Sequence, residues 1–186
     1  AEMLMRCKPM GTNDANVAVI FAARRGLGSI VRIIIETCAP EEPFIADAVS
    51  AGQRYPAVIE AVMTATATSY ELEMTCAQSV GRANNVGGVA IVLGGGRVAS
   101  ASALARVMLA ATGSPAVITA VLDHESVDAA AVGRVALESF VKDRSQNVLI
   151  GALIADERID LSGLGNKMLR NAVLGRHETL VEMLIA

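Results

Sequence analysis

Three consecutive glycines, Gly94-Gly95-Gly96, follow an apolar run and precede a helix-forming segment. Such backbone can turn several N–H groups toward an anion, because glycine has no Cβ to hold a ligand away. Arg97 adds a positive charge, and Ser100 adds a hydroxyl in the first turn of the segment that follows. The stretch GGGRVAS fits neither GxGxxG nor GxxxxGK[ST], so no nucleotide fingerprint applies. The competing reading is a tight turn between closely packed elements.

A second group is Asp123-His124-Glu125-Ser126. An imidazole flanked by carboxylates can take up and return a proton, with Asp123 or Glu125 orienting the ring. The same residues also suit a helix start, where Glu125, Ser126 and Asp128 would satisfy N–H groups and complement the dipole. Arg24-Arg25 beside Gly26 and Gly28 form a third group. Two guanidiniums there can clamp a carboxylate or a phosphate, or stand in solvent or in an intersubunit ion pair.

The remaining polar residues have blander roles. Glu71 and Glu73 fall on one face of an alternating run, as an acid–base pair or as a wet face. Asn84-Asn85 suits left-handed turn positions. His177, between Arg176 and Glu178, reads as a cap or surface residue. Cys7, Cys38 and Cys76 lie far apart, with no CxxC and no Cys/His cluster. That spacing supports neither a zinc site nor a disulfide framework. No Ser or Cys nucleophile signature occurs, no metal is expected, and no cofactor is specified.

The elements that must position these residues are short and apolar. Residues 3–8, 17–22, 30–37, 70–76, 88–93, 116–123 and 148–155 read as strands, being brief and largely apolar, several of them β-branched. In 70–76 the residues Tyr70, Leu72, Met74 and Cys76 alternate with Glu71, Glu73 and Thr75. A single helix over 14–37 is the rival for the second and third strands, and Gly26 and Gly28 weigh against it. Helices are expected from Glu41 and Pro43, from Tyr55-Pro56, over 98–111, over 126–142, and over 165–185 in two pieces split near Gly175. Residues 158–161, RIDL, read as a short return strand. The order from 86 to 155 is strand, helix, strand, helix, strand.

The fold class expected is therefore α/β or α+β. It would be a mixed β-sheet with helices mainly on one face and βαβ units in the C-terminal two thirds. No short-period repeat and no linker stand out, so residues 1–186 read as a single compact domain.

Composition narrows the partners. Of 186 residues 53% are apolar, with no Trp, two Tyr and three Phe. The mean hydropathy is +0.46. No uninterrupted apolar run reaches the roughly 20 residues a membrane span needs, and no signal peptide opens the chain, so the protein reads as soluble and cytoplasmic. A chain this apolar and this poor in charge is expected to hide surface in a homo-oligomer. A net charge of -3, with few aromatics, speaks against nucleic acid.

Two functions follow. One is a small metabolic enzyme or metabolite-binding protein holding an anionic small molecule at strand-to-helix loops, possibly between subunits. Gly94, Gly95, Gly96, Arg97, Ser100, Arg24 and Arg25 would bind, and His124 with Asp123 and Glu125 would move protons. The other is a structural, self-assembling ring or shell subunit without catalysis. A regulatory binding module would look like the first without its chemistry.

Overall fold

A computed structural model describes residues 11–65, 69–141, 146–161, 165–174 and 178–185. Among these residues every regular element is a helix and no strand occurs. In chain order the helices are α1 (Thr12–Arg24), α2 (Gly28–Cys38), α3 (Glu42–Ala51), α4 (Pro56–Ala65), α5 (Tyr70–Arg82) and α6 (Val86–Gly95). They continue as α7 (Ala101–Ala111), α8 (Pro115–Leu122), α9 (Ala129–Phe140), α10 (Asn147–Ile154), α11 (Gly165–Leu174) and α12 (Glu178–Ile185).

The expected mixed sheet and its βαβ units are therefore overturned, and the burial pattern gives the reason. In α5 the buried positions are Leu72, Glu73, Cys76, Ala77, Ser79, Val80 and Gly81, a stripe that returns at each helical turn. The alternation over 70–76 is a short window on that stripe. Val117, Ile118, Val121 and Leu122 repeat the pattern in α8, and Val89, Val92 and Leu93 follow it in α6. The α6 and α8 runs are apolar nearly all round, so periodicity in sequence does not separate helix from strand there, and packing overrides β-branched propensity.

Local signals fix the helix ends. Side chains of Ser69, Asn85, Ser100 and Asp128 accept the N–H of Leu72, Gly88, Ala103 and Ala131 in turn. Proline opens α4 and α8 and stands in the first turn of α3. Gly26, at φ +70°, ends the first helix, so 14–37 forms two helices with a glycine turn between them. Asn84, at φ 52°, takes the left-handed turn position its type suits. RIDL is irregular, and the strand expected at 3–8 and His177 lie outside the described residues.

The helices come in antiparallel pairs. The first members begin at Thr12, Glu42, Tyr70, Ala101 and Ala129, giving a period of 28 to 31 residues, and the last pair begins at Gly165. First members stack on first members, α1 on α3, α3 on α5, α5 on α7 and α7 on α9. Second members do the same from α2 to α10, and α12 packs on α10. This is a two-layer helical solenoid, in which each pair buries its apolar stripe mainly against its neighbours. The repeat escapes notice in sequence because it conserves spacing and apolar pattern rather than residue identity.

Close approach of α5 and α7 depends on Gly81. A Cβ there would lie 2.4 Å from the carbonyl oxygen of Met108. A Cβ on Gly94 in α6 would meet no described residue within 4 Å. The Gly81→Ala variant should therefore lose about 2 kcal/mol, overpacking outweighing the better helix propensity. The Gly94→Ala variant should hold or gain up to about 1 kcal/mol. Thermal midpoints of the two variants check this, and equal midpoints would contradict the packing.

Candidate functional site

The stack has two long edges. Turns within pairs lie on one, and connections between pairs lie on the other. Side chains tie neighbours together along both. On the turn edge Asn85 Nδ2 donates to the Gln53 carbonyl at 2.9 Å. Asn84 Oδ1 accepts from Thr112 Oγ1 at 3.1 Å and from the Gly113 N–H at 3.2 Å. On the connection edge Asn16 Oδ1 accepts the Glu41 N–H at 3.0 Å, and the Ser69 hydroxyl donates to Glu42.

The glycine-rich connection holds an anion, and the anion is internal. The Glu73 side chain is completely buried on α5. Its Oε1 accepts the N–H of Arg97 at 2.7 Å and of Val98 at 3.1 Å. Its Oε2 accepts the N–H of Val98 at 3.2 Å and of Ala99 at 2.6 Å. Three successive amides thus converge on one carboxylate, as in an anion nest. Both oxygens are satisfied, which is what burying the group requires.

This settles where the glycine residues lie. Gly94 and Gly95 belong to the last turn of α6, and Gly96 caps it with φ -60° and ψ 124°. None adopts a left-handed φ. The backbone of Arg97 is engaged by Glu73, and Ser100 Oγ is engaged by the N–H of Ala103. The amides that converge are those of Arg97, Val98 and Ala99, immediately after the glycines, and their acceptor is the chain's own Glu73.

Asp123, His124 and Glu125 follow the C-terminus of α8, on the same edge as Gly94–Gly96, with no sheet beneath them. His124 Nδ1 pairs with Ser126 Oγ at 2.8 Å. Asp123 pairs instead with Arg158, Oδ1 to Nη2 at 2.8 Å. Arg158 also donates to the Leu122 carbonyl at 3.0 Å and to Asp156 at 2.6 Å, tying two connections together. Hydrogen bonds from Arg158 hold the Asp156 carboxyl below its ordinary value of 3.8, against the opposing effect of burial. That tie is complete above pH 3.8 and is lost as pH falls through the lower folded value. Asp123 is thus directed to Arg158, and it does not orient His124.

Arg24 and Arg25 lie on the opposite edge, so they do not converge with the glycines or with His124. Both are exposed, as are Arg54 and Arg82 in the next two turns. None of the four forms an ion pair with a described residue. Arg24 stands over the exposed Phe21 ring, 6.0 Å from its centroid. Arg54, the role of Arg82 beyond the polar loop Arg82–Asn85, Arg158 and the burial of Glu73 are what residue-by-residue reading misses. The recurrence of arginine at 25, 54 and 82, in step with the helix pairs, is the signal that carries the first two.

Other chemistry is sparse. Cys76 is buried, and burial, with the charge of Glu73, pushes its thiol from 9.0 up to about 12. Such a thiol is not a nucleophile at neutral pH. Among the described residues no three His, Cys, Asp or Glu side chains gather as metal ligands. Nor is any described helix long and apolar enough to cross a membrane.

The Glu73 clamp gives a direct test. Removing the carboxylate in Glu73→Ala orphans three amides and leaves a cavity, and should cost about 3 kcal/mol or more. Glu73→Gln keeps one acceptor oxygen and should cost less. Urea unfolding of both variants measures the difference, and a Glu73→Ala protein as stable as the parent would contradict the clamp.

No family model, no curated protein and no solved structure matches this chain.

Proposed function

We propose that this chain is a helical-repeat interaction scaffold whose turn edge engages an acidic polypeptide. The observation that carries this reading is the row of exposed arginines, Arg24 and Arg25, Arg54, and Arg82, on three successive turns without ion-pair partners among described residues. Packed helices lie roughly 8–10 Å apart, which sets the pitch of the row. An extended chain advances roughly 3.3 Å per residue, so a carboxylate at every third residue matches that pitch. Guanidiniums take carboxylates in bidentate geometry, and repeat surfaces bind extended partners. The shortage of aromatics to stack on bases favours a polypeptide over nucleic acid.

The reading keeps the arginine part of the expected anion site and moves it from a metabolite pocket to a surface. Its setting is the reducing cytoplasm, in keeping with the free thiols of Cys38 and Cys76.

A labelled peptide with glutamate at every third position, glycine and serine between, is the probe. Fluorescence anisotropy should show binding at low salt that fades as salt screens exposed charges. Arg25→Glu, Arg54→Glu and Arg82→Glu together should weaken binding at least tenfold with an unchanged helical spectrum. Equal binding by parent and triple variant would refute the proposal.

A further inference from the structure

The same three first helices that carry the arginines carry acids at their other ends. Asp14, Glu42 and Glu71 stand in the first turns of α1, α3 and α5. Arg24 and Arg82 close α1 and α5, and Arg54 follows α3. All six are exposed. The acidic row and the basic row share one pitch, because the same stacked helices set both.

A groove opens on the acidic side between α3 and α5. It is lined by Glu42, Pro43, Ala46, Glu71, Leu72 and Thr75 and has a volume of about 220 Å³. Pockets for small-molecule ligands run to about 300–1,000 Å³, so this one is small for a metabolite. Its size and lining suit one long cationic side chain, with Pro43, Ala46 and Leu72 against the methylenes and two carboxylates for the head group.

We infer that the acidic polypeptide of the proposed function is a second copy of this chain, so the inference rests on that reading. The connection edge of one copy docks on the turn edge of the next, and Arg54 of the second copy enters the groove between Glu42 and Glu71. Shifting a copy along the helix axes brings the end of α3 over the start of α3, and the flanking rows then meet in register. The contact is heterologous, so each added copy leaves a free edge at both ends and the assembly grows as an open chain.

Sedimentation velocity on the full chain tests this. At about 50 mM salt the parent should form species that lengthen with concentration, and at about 0.5 M salt it should be a monomer. Arg54→Glu alone and Glu71→Arg alone should each associate at least tenfold more weakly. Mixed together, they offer one parental contact, from the arginine edge of Glu71→Arg to the groove of Arg54→Glu, and one charge-reversed contact that again sets opposite signs against each other. The mixture should associate at least tenfold more tightly than either variant alone. A parent that stays monomeric at low salt but binds the glutamate peptide overturns the second copy as partner and leaves the scaffold reading standing. A monomer that does not bind the peptide overturns both. Unaltered growth by either single variant, or a mixture that associates no more tightly than either variant alone, also overturns the inference.

Discussion

The carboxylate of Glu73 is the interaction on which much of this structure depends. It sits on α5, and its partners are the amides of Arg97, Val98 and Ala99 in the connection from α6 to α7. A side chain in one helix pair thereby fixes where the next pair begins. No helix pair buries its apolar faces alone, so the stack needs each connection placed in register. Asn16 with Glu41, Ser69 with Glu42, and Arg158 with Leu122 and Asp123 do comparable work at other connections. Among these ties Glu73 is the most buried side chain, and it satisfies three successive backbone N–H groups just before α7.

That clamp also decides where function is sought. Three convergent amides form a competent anion site, and the chain's own carboxylate occupies it. The cradle is a structural joint. On the far edge, arginines without an ion-pair partner among described residues recur at a regular pitch. Shape and charge on the outside of a stacked array, rather than an enclosed pocket, carry the proposed role.

Some of this was legible from residue types. The two final helices, the starts at Pro43 and Pro56, the turn character of Asn84 and the break at Gly26 all follow from local chemistry, which the fold leaves intact. The helical nature of α6, α8 and α10 was not legible, because stretches such as Val89–Leu93 and Val148–Ile154 lack the polar residues that would reveal a period. In sequence Glu73 reads as half of an acid–base pair or of a wet strand face. Its burial depends on amides 24 to 26 residues away, which no local window contains. Arg24 and Arg25 were legible as a cationic pair. Their membership of a row emerges only when the 28 to 31 residue period is recognised.

The most direct test of the central claim is amide exchange at Arg97, Val98 and Ala99, followed by nuclear magnetic resonance while inorganic phosphate is added. If Glu73 fills the cradle, these three amides exchange slowly and their resonances do not move with phosphate. Rapid exchange, or shifts that saturate as phosphate binds, would mean that the cradle is open to an external anion and that the carboxylate does not hold this joint.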